Sequence, residues 1–467
     1  MFHRLHKNAV AYSATTMAAV LMNSVFQFYY VNLFLNRYRI SAYWFNFAQV
    51  LYMVWNAIND PLFGYFQDYS KMECLKHRRL NILYGAPLFA ISFLLPWFAW
   101  TEDSSQEWLV GLHLLVALSF YDSMFTYVLL AQCSLSAEIS LDDADRQRIL
   151  KYSQVASICG ASAVIFTEVA SNHMENFGRF QIVCVIIACV SWWLMHYSGT
   201  NVKVAVDRSS VSVDKSSDAD ETCYDIIKIS LQIFSNGNFV SFVITNFCQV
   251  LHSTYAANFF AIFRDHLIGA NGLPLYVSSI MAGSAFILPQ ITILLLGPAI
   301  SKYGYHSIIS ASFYIKIFMG VFLYSFGSGS KPLLALFMVL DSTFVNACFG
   351  IFNLPIAHII DEDKENFNRR HPISSMVFGT NALVTKPANS IAPMFIVYIL
   401  QQHGYKSDSL QVNSSLATLE ASKELKDTMF MLLYAIPILL GAVQMVVWRF
   451  YRLKGRSKSP MPVIQTL

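Results

Sequence analysis

The chain has 467 residues, of which 55% are hydrophobic and only 13% charged, and its formal net charge is +3. Soluble domains carry about 25% charged residues, so this composition excludes an ordinary soluble protein and indicates one built for a lipid bilayer. The small net charge also argues against a nucleic-acid partner. The eight cysteines fall mostly in apolar blocks without metal-ligand spacing, so neither a disulfide scaffold nor a metal centre is expected.

Apolar blocks of about 20 residues, the length that spans the hydrocarbon core of a bilayer, recur through the whole sequence. They predict an all-α membrane protein with twelve transmembrane helices in two six-helix halves. The predicted spans are residues 9–35, 43–66, 80–100, 107–133, 153–171, 180–198, 238–263, 274–299, 306–327, 332–357, 373–401 and 428–452.

A polar stretch between the sixth and seventh predicted spans divides the chain. Residues 199–227 mix serines with aspartate and lysine, a composition typical of a flexible linker. We therefore expect an N-terminal six-helix bundle at 1–198 and a C-terminal six-helix bundle at 228–452. A cytoplasmic linker at 199–227 and a cytoplasmic tail at 453–467 complete the predicted organisation.

The basic residues predict the orientation of the chain in the membrane. Most of the 32 lysines and arginines fall in the tails and connectors on the side of the two termini. Because Lys and Arg concentrate in cytoplasmic loops, we expect both termini in the cytoplasm, in a multi-pass protein of the plasma membrane.

Asn413-Ser414-Ser415 is the only glycosylation sequon of the sequence and falls in a predicted extracellular loop. We expect Asn413 to be glycosylated, so a glycosidase should lower the apparent mass of the unaltered chain but not of Asn413→Gln. Epitope tags at residues 1 and 467 should stay hidden from antibodies in intact cells. Surface staining of either tag would contradict the predicted topology.

An acidic residue lies within the second predicted span. Asp60 follows the apolar run at 43–55, and an ionisable side chain at bilayer depth costs roughly 2.5–3.5 kcal/mol on insertion scales. On a helix, Gln49, Asn56 and Asp60 fall on one face, which predicts a polar stripe facing protein or a water-filled cavity. The alternative is a carboxylate that caps the helix end beside Pro61.

Two glycine-containing loops occupy equivalent positions in the two halves. Gly64 to Asp68, followed by Arg78 and Arg79, lies after the second span, and Gly297 to Gly304 lies after the eighth. Together with six plus six helices and a polar central linker, this pattern resembles the major facilitator superfamily. The resemblance implies the major facilitator fold and a secondary transporter. The alternative interpretation is a pair of ordinary basic connectors.

Three segments make the chain similar to one group within that superfamily. They are Trp55 to Pro61, Leu141 to Tyr152, and Val384-Thr385-Lys386 after the acidic loop at 360–363. The group is that of the glycoside–pentoside–hexuronide cation symporters, which includes the melibiose carrier. The resemblance implies cation-coupled transport of a solute.

Comparison with this group implies a degenerate ion site. The family's acidic pair on helix two corresponds to Asn56 and Asp60, so only the second acid is kept, and its lysine on helix eleven corresponds to Lys386. Asn56 and Asn59 would add amide oxygens for a weak sodium site; a proton relay through Asp60 and loss of coupling are the alternatives. The family's sugar-binding positions hold Thr16, Leu129, Cys133 and Gln154. A disaccharide substrate is therefore not expected.

Polar residues on predicted helices one, four, seven and ten form the expected substrate cavity, because these helices surround the cavity in the superfamily. They are Asn23, Gln27, Asp122, Asn246, Gln249, His252, Asn346 and Asn353. For each amide the alternative is an interhelical hydrogen bond, worth about 0.6 kcal/mol. Lys316, in the ninth span, matches no expected partner.

Enzymatic motifs are absent from the sequence, which has no GxSxG elbow, HExxH pair, P-loop or glycine-rich dinucleotide turn. We therefore expect no catalysis and no cofactor other than a coupling Na⁺ or H⁺. The expected protein is a monomeric secondary active transporter that moves a small organic solute by alternating access. The alternatives are a transporter of lysolipid or another amphiphile, and a non-transporting scaffold or receptor.

Overall fold

The computed structural model describes residues 7–69, 77–101, 106–139, 143–203, 230–269, 273–368, 373–405 and 416–453. These ranges are helical and contain no strand. Their α-helices are α1 Lys7–Asn32, α2 Ala42–Tyr69, α3 Arg78–Leu94, α4 Glu107–Ile139, α5 Asp143–Ala161, α6 Ala163–Ser171, α7 Phe177–Asn201, α8 Gly237–Phe263, α9 Leu275–Tyr303, α10 Tyr305–Phe326, α11 Lys331–Phe349, α12 Asn353–Asn366, α13 Ser374–Thr385, α14 Ala388–Gln402 and α15 Leu416–Trp448.

Three predicted spans are each built from two helices. The fifth breaks between α5 and α6, the tenth between α11 and α12, and the eleventh between α13 and α14. The last break follows from Pro387, which has no backbone N–H to continue the helix. Two π-helical turns, Leu33–Arg37 after α1 and Arg264–Gly269 after α8, extend the first helix of each half.

Ten segments of the described chain are long and apolar enough to cross a membrane by length and composition. They correspond to ten of the predicted spans. Helices α2 and α8, at the second and seventh predicted spans, are not among the ten. The all-α membrane architecture is therefore confirmed, while the count of twelve spans stays a prediction.

Several predicted features fall outside the described ranges. They include most of the linker at 199–227, although α7 itself continues to Asn201, beyond the predicted end of the sixth span at residue 198. Asn413, Leu141, Asp142 and the tail beyond residue 453 also lie outside. The predicted domain boundaries stay predictions.

In each half, residues 7–203 and 230–453, a hydrogen bond joins the start of the first helix to the residues that follow the last helix. Asn8, near the start of α1, accepts from the backbone N–H of Lys203 and donates to its carbonyl, both at 2.8 Å. Asn238, near the start of α8, accepts from the backbone N–H of Arg452 at 2.8 Å. Each asparagine is the second residue of its helix, a correspondence that internal repeats in transporters would produce.

The halves pack against each other through α1 with α8, α2 with α14, and α6 with α9. Helices α6 and α9 cross closely at Gly283. A Cβ atom there would lie 2.0 Å from Ile165 Cγ1, so this approach requires glycine, which has no Cβ. We call the face where α1 and α8 end the distal face. The opposite face, which carries residues 7 and 453, is the terminal face.

Candidate functional site

Lys386 of the C-terminal half binds three oxygen atoms of α2. Its ammonium Nζ forms a salt bridge with Asp60 Oδ1, and donates to Asn59 Oδ1 at 3.2 Å and to the Asn56 carbonyl at 3.3 Å. The lysine lies at the break between α13 and α14, where Pro387 interrupts the helix. The Lys386 and Asp60 side chains are 20% and 30% exposed, so the pair is only partly shielded from solvent.

A second carboxylate joins this site from α4. Asp122 Oδ2 accepts from Asn59 Nδ2, so the Asn59 amide bridges Asp122 and Lys386. Thr126, one turn along α4, donates to Asp60 Oδ1 at 3.1 Å. We call Asn56, Asn59, Asp60, Asp122, Thr126 and Lys386 the central cluster. Two carboxylates and one ammonium meet there, so the cluster carries one negative charge in excess when all three groups are ionised.

The central cluster contains all four predicted ion-coupling residues, with one difference in the role of Asn56. Sequence comparison predicted that the Asn56 amide oxygen binds the cation, but its backbone carbonyl accepts from Lys386 instead. The Asn56 side chain is buried, and its Oδ1 has no hydrogen-bond partner within the described part of the chain. Asp122, predicted as a cavity residue, supplies the additional charge.

Helix α1 is mostly buried but presents a line of accessible residues on one face. Thr16, Val20, Asn23 and Gln27 keep accessible surface, although neighbours such as Phe26 are buried. Their spacing places them on one face. Two of the predicted cavity residues, Asn23 and Gln27, thus keep accessible surface, and their contact with a solute stays a prediction.

Three other predicted cavity residues hold the C-terminal half together. Gln249 is fully buried and donates to the Val345 carbonyl at 2.6 Å. His252 is also fully buried, with Nε2 3.0 Å from Asp341 Oδ2, and Asn346 donates to the Ser342 carbonyl at 2.9 Å and its Oδ1 accepts from Ser253 at 2.5 Å. Gln249, His252 and Asn346 thus take part in contacts of α8 with α11 and in bonds within α11, and their place in a cavity lining stays a prediction. Asn353 lies at the start of α12 and is partly exposed.

Lys316 of α10 is enclosed in the same half and is only 1% exposed. Its Nζ donates to Gln249 Oε1 at 2.6 Å and to Gln444 Oε1 at 2.9 Å, and lies 5.7 Å from the centre of the Phe313 ring. Two amide oxygens and an aromatic face thus replace water around the ammonium. The contacts join α8, α10 and α15.

A second ion cluster joins the halves at the distal face, and sequence reasoning missed it. Glu168, near the end of α6, forms a salt bridge with Arg264, which follows α8; the side chains are 1% and 3% exposed. Tyr29 donates to Glu168 Oε1 at 2.8 Å, and His173 Nδ1 lies 2.5 Å from Glu168 Oε2. Arg264 Nε also donates to Asp265 Oδ1 at 2.8 Å. We call these five residues the distal cluster.

Two neutral hydrogen bonds also cross between the halves near this face. Asn258 of α8 donates to the Tyr30 hydroxyl at 2.9 Å, and Tyr405 donates to Asn36 Oδ1 at 2.7 Å. Burial raises the pKa of Tyr405, so its hydroxyl keeps the proton that it donates. Together with the distal cluster, these contacts join the two halves at the distal face.

The loop between α6 and α7 is strained where it meets the distal cluster. Asn172, His173 and Met174 have φ angles of 50°, 56° and 66°, the left-handed region, which costs roughly 1–2 kcal/mol per residue. Hydrogen bonds hold this geometry, including His173 N–H to the Glu168 carbonyl at 3.2 Å. Such strain at a cross-half contact points to a functional role.

This architecture, with ion pairs between two helical halves, is the arrangement expected of the major facilitator fold. The chain belongs to the family described as MFS/sugar transport protein, whose model matches residues 11–455. The predicted superfamily and fold are therefore confirmed.

Two curated relatives cover nearly the whole chain. Transmembrane protein 180 of Gallus gallus is 28% identical over 481 residues, which cover 96% of this chain and 93% of that protein. Transmembrane protein 180 of Mus musculus is 26% identical over 494 residues, with the same coverages.

Solved transporter structures share the fold. The nucleoside transporter NupG superposes with a TM-score of 0.63 at 12% identity, covering 95% of this chain and 99% of its own. A D-xylose-proton symporter gives 0.61 at 13% identity, covering 97% and 98%. At such low identities the likeness shows the fold alone.

Proposed function

We propose that this protein is a secondary active transporter of a small organic solute, in which a monovalent cation, Na⁺ or H⁺, couples to the movement of the two halves. One observation carries this proposal: an ammonium from the C-terminal half occupies a ring of oxygen atoms of the N-terminal half. The family membership and the fold support a transporter.

The central cluster offers the donors that a hard cation uses. Carboxylates of Asp60 and Asp122, the Asn59 amide, the Asn56 carbonyl and the Thr126 hydroxyl supply oxygen ligands. In this conformation the Lys386 ammonium lies among these oxygen atoms, where the cation would bind, and neutralises Asp60. When the halves move apart, Lys386 withdraws, and two neighbouring carboxylates require another cation, since like charges at a shared site cannot both stay ionised cheaply.

Exchange of Lys386 for a cation therefore links ion binding to conformation. Contacts at the distal face favour the state in which Lys386 binds α2. A cation bound at the central cluster favours the other state, in which Lys386 has left α2. The accessible α1 line, with Asn23 and Gln27, provides amide groups for a small polar solute. Solute binding at this line would bias the same equilibrium.

Cation binding is measurable before the solute is known. If Na⁺ binds, the melting temperature of the purified protein in detergent should be higher in NaCl than in choline chloride at equal ionic strength. If H⁺ binds instead, the melting temperature should rise when the pH is lowered. Ligand at about 100 times its Kd stabilises a protein by about 2.7 kcal/mol. Asp60→Asn and Asp122→Asn should each remove the gain, because each removes one anionic oxygen pair.

Glu365→Gln, at an exposed position on α12, is the matched control and should keep the response. Equal responses in Asp60→Asn and the unaltered chain would overturn the ion site. For transport itself, reconstituted vesicles are screened with a metabolite mixture under imposed Na⁺ or pH gradients. Absence of flux for every solute under every gradient would favour the scaffold alternative over a transporter.

A further inference from the structure

His173 is placed so that its protonation state changes the pairing between the two halves. Its Nδ1 lies 2.5 Å from Glu168 Oε2, and a carboxylate that also accepts from Tyr29 and Arg264 carries no proton to share. Nδ1 therefore carries the hydrogen and donates it. This leaves Nε2 as the atom that takes a second proton, on a ring that is 14% exposed.

The charged and titratable groups around His173 come from three elements and its own loop. Glu168 lies on α6, Arg264 and Asp265 follow α8, and Glu175 belongs to the loop, where it accepts from Asn172. Tyr29 of α1 faces the same carboxylate. With a neutral ring, Glu168 depends on the arginine of the other half for its only permanent countercharge among these groups.

A protonated ring would share one carboxylate oxygen with Arg264. Arg264 Nη1 and His173 Nδ1 both bind Glu168 Oε2, whereas Asp265 binds the guanidinium at Nε. Two cations that meet at the same oxygen atom repel each other, because Coulomb energy rises as the distance falls. The protonated ring disfavours the closed contact.

Separation of the halves reverses this balance. His173 stays with Glu168 in the N-terminal half, and Asp265 stays with Arg264 in the C-terminal half. If the ring is protonated, each half then keeps a paired anion and cation. If the ring is neutral, separation leaves the Glu168 carboxylate without a cation, which opposes opening.

We propose that His173 is a proton-binding site of the distal face, and that a proton on its Nε2 releases Glu168 from Arg264 and opens that face. The inference rests on the proposed alternating access between the halves. It assigns the proton a gating role at a site separate from the central cluster. Histidine suits this role because its charge changes near physiological pH.

Distances across the distal face test the proposal without a known solute. Spin labels at Gln106→Cys and Ser328→Cys, exposed distal positions in the two halves, are introduced into a chain whose eight native cysteines are replaced by serine. Between pH 7.5 and pH 5.5 the ratio of long to short distances should rise by about tenfold. His173→Gln should abolish this change, and His173→Lys should give the long distance at both pH values.

His403 provides a matched control, since its Nδ1 lies 3.0 Å from Glu424 Oε1 at the distal face but within one half. His403→Gln should leave the pH response intact. An unaltered pH response in His173→Gln would overturn the proposal, as would a pH-independent distance in the starting chain. Distances that stay short even in Arg264→Gln would instead contradict alternating access, so the two failures are distinguishable.

Discussion

Lys386→Met should destabilise the protein more than Asp60→Asn, and the double variant should be milder than the sum. Removing the lysine leaves Asp60 and Asp122 facing each other without a cation, whereas removing Asp60 leaves Lys386 beside Asp122 and the Asn59 amide. Breaking a buried pair costs roughly 3–5 kcal/mol and an exposed pair about 0–1. For this partly exposed pair we expect about 2–3 kcal/mol for Lys386→Met and about 1 for Asp60→Asn.

Unfolding of the purified single and double variants measures the coupling free energy directly. A double-mutant cycle should give about 1 kcal/mol or more between the two side chains. Restoring the family's acidic pair with Asn56→Asp should strengthen any sodium dependence. Strictly additive effects would mean that the two side chains do not interact, and coupled transport by Asp60→Asn would end the ion-site interpretation.

Arg264→Gln should open the distal face more than Glu168→Gln does. Loss of the arginine leaves a buried carboxylate whose charge is better solvated in an open state. Loss of the glutamate leaves Arg264 paired with Asp265. A membrane-impermeant thiol reagent, added from the distal side, should modify Gln27→Cys at least tenfold faster in the Arg264→Gln background, since breaking a buried pair costs roughly 3–5 kcal/mol.

The native cysteines are replaced in all these chains, so that only residue 27 reacts. Glu424→Gln, which removes a distal ion pair within one half, is the control and should leave the labelling rate unchanged. Equal rates in the unaltered and Arg264→Gln backgrounds would show that the distal cluster does not limit access.

The pair Asp60–Lys386 was predictable because a family comparison relates two positions far apart in sequence. Asp122 was assigned to the cavity, because a helix pattern gives the face of a residue but not which neighbour covers that face. The same limit applies to Gln249 and His252, which form hydrogen bonds with α11. In each case the sequence predicted the helix, and only the folded structure supplied the partner.

Glu168 carried a signal that was not used. It is an ionisable residue within the predicted span 153–171, and such residues mark functional positions by default. Arg264 directly follows the predicted span 238–263. A basic residue is common at the end of a helix, so its position carries no special signal. The strained geometry of His173 has no sequence signature, because only the folded loop brings its ring to Glu168.

The paired asparagine contacts at Asn8 and Asn238 have a mechanical consequence. Each ties the exit of the last helix of a half to the entry of its first helix, so each half is a ring of helices fastened at one point. A force applied through the segment that connects the halves would act first on the hydrogen bonds between Asn8 and Lys203, and not on the helical hydrogen bonds of α7 or α1. In the proposed transport cycle, the force that reorients the halves would then come from contacts between them, at the central and distal clusters.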